Sequence, residues 1–204
     1  YMVWSYGQAA KAGWLESIDQ HFDNPNLFDK NWYDLNDIFS SAKSFPIWND
    51  GESYVMSITA EAQTMFANQN MLDAVGAGIP TTFDELLSTG KKLKSGDVAG
   101  VAMRSKADGS AGTWPCGGFV FSNGGVVIQD GKCMLDSPEA IEAVQYYGSI
   151  LNEAGPLGVG NYHWYECLND YMQEAVAIGL DSSNFATDIE NPEKSNAAGH
   201  TTYG

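Results

Sequence analysis

The chain has 204 residues, of which 44% are hydrophobic and 12% aromatic, enough to build a real core and too much for a disordered segment. Ten basic residues against 26 acidic ones give a net charge of -16, a field that repels phosphate backbones and anionic lipid heads and makes nucleic acid and membrane surfaces poor partners. No apolar run reaches the roughly 18 residues of a membrane-spanning helix.

Taken in chain order, residues 1 to 4, "YMVW", read as a short buried strand. Tyr6-Gly7 suggests a loop, and Gln8 to Trp14 a short helix that ends near Gly13. Residues 23 to 51 are rich in Asn, Asp, Pro and Phe without clean periodicity, which predicts short helices and loops. "SYVMSIT", 53 to 59, alternates as a strand does. From Glu61 to Leu72, the residues Ala62, Met65, Phe66, Gln69 and Leu72 recur at helical spacing. In "PTTFDELL", Thr82 and Glu85 form a capping-box pattern, and Leu86, Leu87 and Leu93 continue an apolar face.

After Gly96, "GVAMR" predicts a short strand, followed by a glycine-bearing loop at 105 to 113 and the segment "TWPCGGFVFSNGG". "VVIQDGKCML" is a hairpin signal about Asp130-Gly131. Ser137-Pro138 opens the clearest helix, with Ala140, Ile141, Val144, Tyr147 and Leu151 inward and an end at Gly155-Pro156. Residues 161 to 173, "NYHWYECLNDYMQ", predict another helix, with Tyr165, Leu168 and Met172 as an inward stripe. The strand "VAIGLD", 176 to 181, and the turn "SSNFA" follow, and "AGHTTYG" reads as the approach to one more strand. Strands alternating with helices make the class α/β. Both ends read as cut, so the chain is expected to be a piece of a longer protein.

His21, His163 and His200 lack a second ligand at metal-binding spacing, and Cys116, Cys133 and Cys167 permit at most one disulfide and match no metal pattern. No calcium loop, phosphate-binding glycine loop or nucleophile elbow is present, and no cofactor is expected. What remains is a set of aromatics and small polar groups at predicted strand and helix ends: Trp4, Tyr6, Gln8, Glu61, Trp114, Tyr162, Trp164, Asp181 and Asn184. Saccharides expose flat C–H faces and a rim of hydroxyls, so a site for them needs ring platforms with amides and carboxylates. Ligands of open α/β sheets sit beyond the carboxyl ends of strands, where several of these residues fall. Each also has a plainer reading: Trp4 and Trp164 as core, Asp181 as a turn cap, Glu61 as a charge at a helix N-terminus. Glu61 and Asp181 could alternatively form the acid/base pair of a glycosidase, although the sequence does not fix their separation.

The order of motifs resembles the extracellular solute-binding proteins of family 1, the sugar receptors of bacterial ABC importers, and within them a polyol or mannitol-type branch. The residues that carry the resemblance are "AGWLESI" (12 to 18), "YVMSITAEAQTMFANQNML" (54 to 72), "GIPTTFDELL" (78 to 87), "FSNGG" (121 to 125), "LDSPEAIEAVQYY" (135 to 147), "GPLGVGNYHWYECLNDYMQEAVAIGLDSSNFA" (155 to 186) and "NPEKSNAAGHTTYG" (191 to 204). Two family patterns differ: a Y-N-K-D stretch is here Ala67 to Asn70, and Q-G-K-A-A-M is Gln173 to Ile178, losses of lysine that alter surface charge more than the pocket.

The resemblance implies a two-lobe periplasmic-binding-protein-like fold of type II, with residues 1–59 a partial first lobe, 60–63 a hinge, and 64–204 a largely complete second lobe. It implies an interlobe cleft for a sugar or sugar alcohol, lined by Trp4, Tyr6, Gln8, Glu61, Trp114, Asn161, Tyr162, Trp164, Asp181 and Asn184. It implies no catalysis, a monomer, permease transmembrane subunits as partners, and a periplasmic or extracellular location with or without a lipid anchor. A non-transport carbohydrate sensor or adhesin on the same fold is the remaining alternative, because fold does not fix function.

Overall fold

The computed structural model describes residues 5–44, 47, 50–108 and 110–204. It divides into two compact units, residues 1–60 and 61–204, each described here by itself. The expected strand at residues 1 to 4 lies outside the described residues.

In the first unit the chain forms four short helices, α1 (Tyr6–Lys11), α2 (Asp19–Phe22), α3 (Lys30–Tyr33) and α4 (Ser40–Ser44). Tyr6 and Gly7, expected in a loop, belong to α1, and Gly13 follows that helix with φ +71°, the left-handed geometry glycine tolerates. Asp29 caps α3 by accepting from the amides of Asn31 and Trp32. The strand expected at 53 to 59 is reduced to one bridge, Ser53 with Ile47. Its polar groups go instead to short helices: Tyr33 of α3 donates to the Ser57 carbonyl at 2.7 Å, and Ser57 Oγ donates to the Ala42 carbonyl of α4 at 2.9 Å. Alternation gives a strand only where a partner strand supplies the ladder. A cavity of about 220 Å³ lies among Phe22, Tyr33, Ile38, Val55 and Met56.

The second unit is a three-layer α/β structure. Its strands are β1 (Gln63–Asn68), β2 (Ala99–Met103), the hairpin pair β3 (Ile128–Gln129) and β4 (Lys132–Cys133), β5 (Val176–Ser182) and β6 (Thr201–Tyr203). Its helices are α5 (Gln69–Ala74), α6 (Phe83–Leu93), α7 (Thr113–Ser122), α8 (Pro138–Ala154), α9 (Trp164–Met172) and α10 (Ala186–Ile189). The main sheet has the order β2-β5-β1-β6, with β2 parallel to β5 and β1 antiparallel to both β5 and β6.

One face of this sheet carries Val101, Met103, Ala67 and Ile178 against α6, α7 and α8, whose Leu86, Phe119, Ile150 and Leu151 complete the core. The α6 helix approaches the sheet at a glycine pair: a Cβ on Gly100 would fall 1.8 Å from the Gly90 carbonyl oxygen. Phe83 stacks on Phe119 at 4.5 Å between ring centres, fixing α6 against α7. The other face carries Phe66, which meets Tyr171 of α9 edge-on at 4.7 Å and lies over Gly179, where any side chain would strike its ring. Leu168, Phe185 and Ile189 close this second core.

Several expectations are met, and others change. The α8 helix runs from its Ser137 cap to Ala154, as predicted, but Ile141 and Val144, expected inward, are 46% and 45% exposed, and its buried face is Ala140, Ala143, Ile150, Leu151 and Ala154. The hairpin turns at Asp130 and Gly131, both at positive φ, as its twist requires. Thr82 caps α6, but the Glu85 carboxylate reaches one residue further back, to the amide and hydroxyl of Thr81. Residues 61 to 72 are not one helix: β1 ends at buried Asn68, whose side chain accepts from the Met71 amide and starts α5. The helical spacing misled because Phe66 and Leu72 both enter cores, one from a strand and one from a helix. Of the stripe expected on α9, Leu168 is buried and Met172 packs against the same core, but Tyr165 is 62% exposed, and Tyr171 and Cys167 complete the inward face. No disulfide joins the cysteines: Cys167 is buried, Cys116 half-buried and Cys133 exposed.

Candidate functional site

β2 and β5 run parallel, and their carboxyl ends meet the start of antiparallel β1 at one end of the sheet. Polar side chains cluster there because the apolar runs "GVAM" and "VAIGL" stop one residue short of Arg104 and Asp181. Arg104 Nε donates to Asp181 Oδ2 at 2.8 Å, and Nη2 donates to Oδ1, a bidentate pair with Asp181 fully buried and Arg104 13% exposed. The Ser182 amide adds a 2.7 Å bond to Asp181 Oδ1. The guanidinium lies over the Trp114 ring, 5.3 Å from its centre. Tyr147 Oη donates to the Arg104 carbonyl at 2.5 Å, fixing the backbone from α8.

The start of β1 is tied into the same end. Glu61 accepts from Ser182 Oγ at 2.5 Å and from Asn184 Nδ2 at 3.2 Å. Ala62 and Ser183 exchange two bonds, the Ser183 amide to the Ala62 carbonyl and the Ala62 amide to Ser183 Oγ. Gln63 Nε2 donates to the Trp114 carbonyl, and its amide group fits against α7 only because residue 118 is glycine. Trp114 Nε1 is buried with no acceptor among the described residues.

The beginning of α9 borders this cluster. The Tyr162 carbonyl accepts from the amides of Ser105 and Lys106, joining the segment before α9 to the end of β2. Tyr162 Oη donates to Asp170 Oδ2 at 2.6 Å, and burial, then that bond, raises its ionisation above the ordinary tyrosine range. His163 caps α9: Nδ1 accepts from the Trp164 amide, while Glu166 accepts from the His163 amide, a reciprocal capping box. Trp164 is 43% exposed, and its ring centre lies 6.2 Å from that of Phe185, the residue after Asn184. Asp108, in the loop after β2, accepts from the amides of Ala111 and Ser110, and these bonds hold its carboxyl down to about 2 from an ordinary 3.8.

The profile of the family described as bacterial extracellular solute-binding protein matches residues 2–204. The chain belongs to that family. This solute-binding protein is similar in fold to a solute-binding protein from Agrobacterium vitis S4 with bound D-mannitol, at 22% identity and a TM-score of 0.84, covering 99% of this chain and 48% of that one. A second solved structure, from Agrobacterium radiobacter K84 in complex with ribitol, matches at 24% identity and 0.83, covering 98% and 50%. A putative binding protein of Brucella abortus (strain 2308) is 24% identical over 150 residues, which is 69% of this chain and 35% of that protein. The chain thus spans about half the length of the solved structures and about a third of the curated relative. The family read from the sequence motifs is borne out, as is its α/β fold.

Of the residues singled out in this solute-binding protein's sequence, Glu61, Asp181 and Asn184 come together at the sheet end, with Trp114 beside them through Arg104. Tyr162 and Trp164 border that cluster, and Asn161 is exposed in a single 3-10 turn at 159–161. Tyr6 is buried and Gln8 exposed on α1 of the first unit; Trp4 lies outside the described residues. Asp181 does not present its oxygens outward, because Arg104 and an amide occupy them. Sequence reasoning missed Arg104, Ser182 and Gln63. Arg104 had a signal: it is the single arginine of the chain and directly follows a buried strand.

Proposed function

We propose that the chain is the substrate-binding part of an ABC importer receptor, taking a sugar or sugar alcohol in a cleft between lobes and delivering it to the permease transmembrane subunits. The observation that carries this reading is the sheet-end cluster: hydroxyl, amide, carboxylate and guanidinium groups of Glu61, Ser182, Asn184 and Arg104 beside the rings of Trp114 and Trp164. Such a mixture suits a ligand of C–H faces and hydroxyls. Residues 60–63 serve as the hinge between a lobe formed from 1–59 and a lobe formed from 64–204. Tyr6, Gln8 and Trp4 supply contacts from the first lobe, and Asn161 and Tyr162 complete the second. The receptor works as a monomer in the periplasm or extracellular space, free or lipid-anchored, and uses no cofactor.

The mannitol and ribitol of the two similar structures support polyols as the first ligands to try. A glycosidase is less well supported: both Asp181 oxygens are engaged by Arg104, and Glu61 is engaged by Ser182 and Asn184, so neither carboxyl stands ready for proton transfer. The test is a thermal-shift screen of the full chain against monosaccharides, disaccharides and polyols. A ligand at 100 times its Kd adds about 2.7 kcal/mol, roughly 5–10 °C in Tm for a chain of this size. Silence across all three classes, or turnover of a chromogenic glycoside that Glu61→Gln abolishes, overturns the receptor reading.

A further inference from the structure

A guanidinium has five N–H donors, and in Arg104 the pairing with Asp181 consumes two of them. The other three, both on Nη1 and the second on Nη2, have no hydrogen-bond partner among the described residues. The fork is nonetheless rigid: Asp181 grips one edge, Trp114 lies against its plane, and Tyr147 fixes its backbone carbonyl. Its charge, however, is cancelled at contact distance by a fully buried carboxylate. The next carboxylate at the same sheet end is Glu61, so the three groups together are negative. The result is a donor-rich, preorganised edge without positive charge.

We propose that Arg104 is the specificity-determining residue of this site, a charge-cancelled donor fork that takes the hydroxyl oxygens of neutral polyhydroxy ligands and disfavours their carboxylate and phosphate counterparts. Asp181 is then a positioning residue, acting through Arg104 and touching no ligand. An uncompensated arginine would select anions, because bidentate carboxylate recognition is its strongest use. Here that bidentate edge is already filled from within the protein, and an incoming anion meets the Asp181 carboxylate behind the donors. A hydroxyl oxygen needs only donors, which the free edge of the fork supplies.

The inference rests on the receptor reading, and its test separates the two. Titration calorimetry of the full chain with D-mannitol and with D-gluconate, which share a six-carbon skeleton and differ in charge, gives a Kd ratio. The wild-type chain is expected to bind mannitol at least about 100-fold more tightly, the scale of one or two hydrogen bonds to a charged group. Asp181→Asn keeps the shape and uncovers the charge, and it is expected to shrink that ratio by about tenfold or more. Arg104→Lys removes the fork and is expected to weaken mannitol binding by roughly 10- to 100-fold without recruiting gluconate. Because a single change could unfold the site, the double variant Arg104→Gln/Asp181→Asn, whose buried pair stays neutral and hydrogen-bonded, must also lose mannitol affinity. Mannitol binding that is indifferent to Arg104, or a ratio unmoved by Asp181→Asn, overturns the proposal and leaves the receptor standing. Wild-type gluconate binding equal to mannitol overturns it too. No heat with either probe, nor with any sugar or polyol of the thermal screen, overturns receptor and proposal together.

Discussion

His163 caps α9 with Nδ1, which accepts from the Trp164 amide at 2.8 Å. Its Nε2 lies 3.8 Å from Asp108 Oδ2. His163→Ala removes the cap and is expected to cost about 1 kcal/mol in urea unfolding, whereas His163→Asn, itself a good cap, is expected to recover most of it. At Asp181 the stakes are larger. Truncating one partner of a buried pair leaves the other charge uncompensated, so Asp181→Ala is expected to destabilise the second unit by about 3 kcal/mol, read from the unfolding midpoint. Asp108 gives a pH dependence of determinate sign. Its carboxyl is held at about 2, below its ordinary 3.8, by the amides of Ala111 and Ser110. The ionised form is therefore favoured in the folded loop, and its contribution is whole above 3.8 and lost as pH falls towards 2. Loss of hydrogen-exchange protection at Ser110 and Ala111, taken relative to the intrinsic rate at each pH, across that window and not above it is the expected readout.

Two glycines in neighbouring elements have opposite consequences. Gly100 in β2 faces the Gly90 carbonyl of α6, so Gly100→Ala must push helix and sheet apart and is expected to cost roughly 3 kcal/mol. Gly148 sits inside α8 with open space where a Cβ would go, so Gly148→Ala is expected to stabilise by about 0.5–1 kcal/mol. Chemical denaturation of the two variants compares them directly. The same contrast explains what could be read in advance. Helix α8 announces itself by Ser137, Pro138 and its apolar spacing, all local signals, and the β3–β4 turn by Asp130-Gly131. β1 was concealed because Met65, Phe66 and Ala67 are apolar in succession, and only the sheet, buried on both faces, makes a strand of them. Glu61, Asp181 and Asn184 were legible as polar residues beyond strands. Their mutual arrangement was not, since it depends on the register that sets Gln63 opposite Ser182. The cap at His163 escaped because histidine is not among the usual capping residues.

Across the molecule, apolar burial is uneven. In the described part of the first unit, Tyr6 and Ala9 are the buried hydrophobic residues, while Trp14, Trp32, Phe39 and Ile58 are largely exposed. The second unit contains both faces of a covered sheet. Limited proteolysis is therefore expected to cut first within residues 5–60 and leave a resistant product beginning near Glu61, identified by mass spectrometry. Early cleavage inside α8 or β5 would refute this order of stability. The three thiols divide along similar lines. Burial raises the ionisation of Cys167 and of Cys116, leaving both as protonated, poorly nucleophilic groups, while Cys133 stands exposed at the end of a two-residue strand. A maleimide dye added to the unaltered chain at neutral pH should thus attach at a single place, on the hairpin. The protein carries its own handle for a fluorescent reporter, with no cysteine to remove and none to introduce.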